Sequence, residues 1–207
     1  MPISAPPRIC CIVEGHGEVE SVPNLVHRIC QARGVAAPLV SRPIRWDRDG
    51  LVKPGETERA VRMAVKYSGR AGGVFIVVDA DDDCPASLGP ELLQRARQAA
   101  DGVPVALTLA CREYESWFLA AAECFRGFHG LPAGLAPPEN ADGIRGAKEW
   151  LRKAAKPGSS YRPSVDQLRF TRQLDLALAR RSPSFLRFER EAVRLIATLE
   201  ATSGSAP

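Results

Sequence analysis

Runs of β-branched and apolar residues alternate, over the first 125 residues, with segments whose apolar positions recur at helical spacing. Arg8 to Val13 predicts a first strand. Gly15-His16-Gly17 predicts a turn. Glu18 to Arg33 predicts a helix with Val22, Leu25, Val26 and Ile29 on one face, Pro23 in its first turns and Gly34 at its end. Pro38 to Arg45 predicts a second strand, Asp47 to Gly55 a charged loop and Glu56 to Tyr67 a second helix. Val74 to Val78 is the strongest strand signal in the chain. An acidic loop, Asp79 to Gly89, separates it from a helix over Pro90 to Ala100 that opens on its proline. Val103 to Cys111 predicts a further strand and Glu113 to Cys124 a further helix. Four strand–helix alternations predict the α/β class, with a mostly parallel sheet of about four strands flanked by helices. The unbroken Val/Ile runs predict strands buried on both faces.

Beyond residue 125 the pattern changes. Gly127 to Gly143 is rich in glycine and proline and predicts a long loop. Helical segments follow over Ile144 to Ala155, Val165 to Arg181 and Phe185 to Leu199. The last is well marked: Ser182 can cap it, Pro183 suits its first turn, and Phe185, Phe188, Ala192, Leu195, Ile196 and Leu199 form an apolar stripe expected to pack on the sheet. The expected organisation is an α/β domain over residues 1–125 and a C-terminal helical extension over 126–207 packed on it, with loose termini at 1–7 and 202–207.

Composition narrows the function classes. The chain has 207 residues, 45% hydrophobic and 25% charged, enough for a core without staples. A net charge of +4 permits nucleic-acid binding without arguing for it. No apolar run approaches the roughly 18 residues of a membrane span, and the start is not that of a signal peptide, so the expectation is a cytoplasmic protein with no membrane partner. The six cysteines lack zinc-ligand spacing and are expected as small buried hydrophobes.

Chemistry enters where the strands stop. Ile12-Val13-Glu14-Gly15 and Val77-Val78-Asp79-Ala80-Asp81-Asp82-Asp83 are apolar runs ending abruptly in carboxylates. In a parallel sheet, ligands bind beyond the carboxyl ends of the strands, and neighbouring strands lie about 4.8 Å apart. Glu14, Asp79 and Asp81 are therefore expected to converge on a hard divalent cation such as Mg²⁺, completed by substrate phosphates. Glu113 follows a later strand and is the better further ligand of the Glu113/Glu115 pair, of which one member is expected to face the site and the other solvent. Gly15-His16-Gly17-Glu18-Val19-Glu20 begins like a dinucleotide fingerprint, but Glu20 replaces the third glycine and three glutamates would repel a pyrophosphate. There is no P-loop motif.

Glu-Gly after the first strand and Asp-x-Asp after a later one resemble the Toprim pattern of topoisomerases, bacterial primases and OLD-type nucleases, whose fold is Rossmann-like. The chain resembles more closely a Toprim-like family of uncharacterised proteins, domain-of-unknown-function family 4276. Its blocks look like Val13-Glu14-Gly15, Val78-Asp79-Ala80-Asp81-Asp82, Glu113-Tyr114-Glu115-Ser116-Trp117-Phe118, Gly146-Ala147-Lys148 and Arg181-Ser182-Pro183-Ser184-Phe185. The resemblance implies that Glu14 acts as general acid or base and touches metal, and that Asp79 and Asp81 hold Mg²⁺ (or Mn²⁺). It also implies that Lys148 approaches a phosphate as a catalytic lysine, and that the chemistry is phosphodiester hydrolysis or transfer.

The resulting expectation is a nuclease or phosphotransfer subunit acting on nucleic acid, DNA in preference to RNA. By analogy with similar proteins it works beside an AAA- or ABC-type ATPase in phage defence. The alternative is a metal-binding regulatory subunit of that ATPase without turnover. A phosphatase or nucleotide hydrolase for a small substrate is a third reading.

Overall fold

A computed structural model describes residues 6–203. Four strands, β1 (Arg8–Val13), β2 (Leu39–Arg45), β3 (Gly73–Asp79) and β4 (Val105–Ala110), form one sheet in the order β2-β1-β3-β4, with every pairing parallel. The predicted α/β class is thus the observed one.

Period-two alternation divides the strand side chains between two apolar layers. Ile9, Cys11, Val13, Phe75 and Val77 face one layer, with α1 (Glu18–Arg33) and α9 (Pro183–Ser203). Cys10, Ile12, Val74, Ile76 and Val78 face the other, with α3 (Glu56–Ser68) and α4 (Pro85–Ala100). Every residue of β3 is buried, which is why its sequence runs apolar without alternation. Cys10, Cys11 and Cys30 are buried as expected, whereas Cys84 is exposed.

β2 is an edge strand. Its register against β1 slips between Cys10 and Ile12, where β2 carries one extra residue next to Pro43. Proline donates no ladder hydrogen bond, so an edge strand with a bulge tolerates it. The charged loop after β2 contains a short helix, α2 (Arg48–Leu51), capped by the Asp47 carboxylate on Gly50 N–H.

The predicted stripe of α9 is buried whole. Phe188 stacks on Phe75 of β3 at 5.1 Å between ring centroids, and the Ser182 hydroxyl caps the helix by accepting from Phe185 N–H. Each fully buried Phe or Leu contributes roughly 1.5–3 kcal/mol, so the C-terminal helix is integral to one face of the sheet. Between β4 and α9 lie α5 (Ser116–Ala120), α6 (Ala147–Ala154), α7 (Pro163–Gln173) and α8 (Leu176–Ala179), joined by loops and 3₁₀ turns.

Several boundaries differ from the sequence reading. The helix expected from Pro90 begins at Pro85, which takes the first-turn position, and Pro90 lies inside it. Glu113 to Cys124 is a turn, the short α5 and a 3₁₀ turn over Ala122–Phe125, rather than one helix. Val165 to Arg181 is broken at Leu174 into α7 and α8, because Asp175 caps a new helix by accepting from Ala177 and Leu178 N–H. Thr202 is helical, while residues 1–5 and 204–207 of the expected loose termini lie outside the described residues. Among the described residues no helix is long and apolar enough to cross a membrane.

Candidate active site

β1 lies between β2 and β3, so the chain leaves it to one side first and to the other later. That reversal of strand order is the position where an open parallel sheet forms its ligand crevice. Val13 pairs with Val77, which brings Glu14, just beyond β1, and Asp79, the last residue of β3, to the same crevice.

Asp79 ends β3 and is buried. Its Oδ1 accepts the Tyr114 backbone N–H at 2.7 Å, and its Oδ2 lies 3.3 Å from Lys148 Nζ. Burial pushes its pKa up, while Lys148 and the Tyr114 N–H pull against that rise. Asp79 is thus held in one orientation on both oxygens.

Glu14 is half-buried and its Oε2 is a buried oxygen without a hydrogen-bond partner. Burial, then the charges of Asp79 and Asp81, push its pKa up to about 7, with Lys148 and the Asp79 backbone opposing. Beside it, Glu18 is buried at the start of α1. Its Oε2 accepts the backbone N–H groups of Glu14 at 2.9 Å and Gly15 at 3.2 Å. The helix N-terminus that would receive a pyrophosphate therefore already carries the chain's own carboxylate. Burial raises the Glu18 pKa too, and Asp79 adds to the rise.

Lys148 comes from the first turn of α6 and meets three carboxylates. Its Nζ lies 3.3 Å from Asp79 Oδ2, 3.6 Å from Glu115 Oε2 and 3.8 Å from Glu113 Oε2. Glu113 also accepts the Lys148 backbone N–H at 3.1 Å, so it anchors the start of the helix as well as its side chain. Gly146, at φ +71°, supplies the left-handed turn that aims this N–H at Glu113. Burial disfavours the ammonium, but Glu115, Asp79 and Glu113 outweigh it and raise its pKa. Glu115 is fully buried; its other oxygen accepts from Tyr161 Oη at 2.8 Å and Gln167 Nε2 at 3.4 Å. Burial lifts its pKa to about 7, against the pull of Lys148.

Glu14, Glu18, Asp79 and Lys148 line one cleft of about 360 Å³, roofed by Pro163 and Gln167 of α7. Asp81, Asp82, Asp83 and Glu113 line a neighbouring cleft of about 510 Å³ with Arg48, Arg112 and Arg145. Asp81 adopts φ +49° and Arg112 φ +64°, and the two exchange hydrogen bonds: Asp81 N–H to Arg112 O, and Arg112 Nη1 to Asp81 O, both at 3.0 Å. Non-glycine residues in the left-handed region carry strain of order 1–3 kcal/mol, which persists where the surroundings over-determine it, commonly at functional sites. Arg48 is partly buried and pairs with Asp49, Asp81 and Asp83.

All five sequence-predicted site residues reach this sheet end: Glu14, Asp79 and Lys148 in the first cleft, Asp81 and Glu113 in the second. One expectation is corrected: Glu113 and Glu115 both face Lys148, because they sit in the turn before α5 rather than on a helix. Sequence reasoning missed Glu18 as a buried member and assigned no role to Arg48, Arg112 or Arg145. Trp117 is core and donates to Ser184 Oγ, and Arg180 and Arg181 are engaged by Glu189 and Glu123.

Charge is the site's chemical signature. Asp79, Glu113 and Glu115 crowd a single ammonium, Glu14 and Glu18 add charge beside Asp79, and Asp81 adds a further charge at the rim. Among the described residues no group of three or more His, Cys, Asp or Glu side chains is arranged to hold a metal ion, and Asp79, Glu113 and Glu115 gather on Lys148 Nζ. The hard oxygen donors nevertheless fit a divalent ion: Glu14 Oε2 is buried without a donor, and Asp79 and Asp81 are the charges that raise its pKa.

Residues 13–191 match the family model described as domain of unknown function (DUF4276). No match was found among curated proteins or among solved structures.

Proposed function

We propose that this chain, which belongs to the DUF4276 family, is a Mg²⁺- or Mn²⁺-dependent, Toprim-like hydrolase or phosphotransfer subunit acting on nucleic-acid phosphodiesters. The observation that carries the reading is the meeting of Glu14 and Asp79 at the switch point of the sheet, with Asp81 at the rim. Glu14, Asp79 and Asp81 would hold the metal. Bound there, a divalent ion neutralises charge on phosphoryl oxygens.

The chain's own groups supply the rest. Glu14, with a pKa of about 7, is poised to hold or release a proton at its carboxyl near neutral pH. Glu18 fixes the Glu14–Gly15 backbone and thereby the direction of the Glu14 side chain. Lys148 orients Asp79 and presents positive charge at the cleft where a phosphate would arrive. Glu115, itself held by Tyr161 and Gln167, pairs with Lys148.

DNA as substrate, a partner ATPase and a role in phage defence extend this proposal by resemblance. A second reading, a metal-binding regulatory subunit of that ATPase, is favoured by one observation. Lys148 already neutralises Asp79 and Glu115, which would suit a site that binds without turnover. Incubation of plasmid DNA with wild type, with and without Mg²⁺ or Mn²⁺, separates the readings. The hydrolase predicts metal-dependent cleavage that falls about 10²–10⁴-fold in Glu14→Gln and is lost in Asp79→Asn. Cleavage that survives both substitutions rejects the site, and no cleavage by wild type favours the regulatory subunit.

A further inference from the structure

The cleft beside the proposed metal position contains an internal stand-in for a substrate group. Asp82 bridges two arginines from separate loops. Its Oδ1 accepts from Arg112 Nη1 and lies 2.8 Å from Arg145 Nη2, and its Oδ2 accepts from Arg145 Nη1 at 3.2 Å. Two guanidinium groups converging on one small oxyanion is the arrangement that recognises phosphate. Asp82 and Arg145 are both about two-thirds exposed, at 67% and 70%. Ion pairs so exposed are weak and readily exchanged.

The two arginines also flank the residues that hold Asp79. Arg112 lies two residues before Tyr114, and Arg145 three residues before Lys148. Both therefore border the carboxylate–lysine cluster. Arg48 differs: it is only 12% exposed and is held by Asp83 and Asp49, so it braces the acidic loop rather than reaching for a ligand.

We infer that Arg112 and Arg145 form a phosphate subsite in which Asp82 is the placeholder, displaced when a phosphate of the substrate arrives. This rests on the proposed phosphodiester reading for why a phosphate comes to this sheet end. A terminal phosphate offers three oxygens to the two planar forks where Asp82 offers two, and an internal diester matches the two of Asp82 with its non-bridging pair. Acids outnumber arginines in this cleft. Entry is therefore selective for a phosphate that arrives with a divalent cation, and other polyanions are repelled.

The test is equilibrium binding to the full chain at fixed Mg²⁺, by fluorescence anisotropy of a short labelled oligonucleotide with and without a 5′-phosphate, with inorganic phosphate as competitor. Arg145→Gln changes an exposed side chain, and Arg112→Asn keeps a residue type that accepts φ +64°. Each is expected to weaken binding about tenfold or more, the scale of one lost charge-assisted contact. Asp82→Asn is expected to tighten binding several-fold, whereas Asp83→Asn, with the same charge change on the same loop, leaves it near wild type.

A preference for the 5′-phosphorylated strand, with competition by inorganic phosphate, assigns the subsite to a terminal phosphate. Equal binding of both strands assigns it to an internal diester. Unchanged affinity in both arginine variants, or equal tightening by Asp82→Asn and Asp83→Asn, overturns the subsite. Because binding is read without turnover, arginine-dependent binding by a chain that cleaves nothing would leave the subsite standing and sink the hydrolase.

Discussion

Lys148 Nζ lies 3.3 Å from Asp79 Oδ2 and only slightly farther, 3.6 Å, from the fully buried Glu115 Oε2. One ammonium thus joins the carboxylate at the end of β3 to a carboxylate sealed under α7. Lys148→Met should leave both without a cation. Breaking a buried pair by removing one partner typically costs 3–5 kcal/mol, and partial exposure of the lysine points to the low end, roughly 3 kcal/mol. Urea unfolding of the variant should show this loss, larger at pH 8 than at pH 5, where the carboxylates can take up protons instead. A loss under about 0.5 kcal/mol, the size of an exposed pair, would mean that Lys148 is solvated.

Stability should also depend on pH in a definite sense. The folded-state pKa of Glu115 is raised from 4.5 to about 7, and that of Glu14 likewise. The folded chain therefore binds these protons more tightly than the unfolded one. Their contribution is fully present below about pH 4.5 and is lost as pH rises through 7. For Glu115 a shift of this size corresponds to order 3 kcal/mol. Without divalent cations, unfolding free energy should fall between pH 5 and pH 8, and Glu115→Gln, which keeps a partner for Tyr161, should flatten the fall. A rise over the same interval would contradict the assigned burial.

Much of this site was legible because acids stand where apolar strands stop. Val13-Glu14 and Val78-Asp79 mark two strand ends, and the parallel class puts them at the same edge of the sheet. Glu18 and Glu115 were not legible, because a glutamate near a helix start reads as a favourable partner of the helix dipole. Their burial comes from α7, some 150 and 50 residues away in sequence, whose Gln167 and Pro163 close over the turn after β1. Gly17 was the local hint, since that close approach leaves no room for a side chain. The same limit explains Pro90: a proline inside a helical pattern reads as a start unless the earlier Pro85 is weighed against it.

Gly17→Ala follows from that packing. A methyl group there would collide with the Gln167 side chain and the Pro163 carbonyl, which belongs to the backbone and cannot rotate away. The substitution should destabilise by about 1–3 kcal/mol and weaken the hold of Gln167 on Glu115. Thermal unfolding together with any metal-dependent activity would register both effects. A variant with unchanged stability would mean that α7 does not close over the turn after β1.

Direct titration of the purified chain with Mn²⁺ at pH 8, read by electron paramagnetic resonance and calorimetry, tests the shared-cation site itself. Wild type should bind at least one ion, with affinity that falls as the pH is lowered through 7 and Glu14 takes up its proton. Glu14→Gln and Asp79→Asn should each weaken that binding about tenfold or more, the loss of a direct oxygen ligand. Mn²⁺ binding of wild-type strength in both variants would contradict a cation held between the ends of β1 and β3.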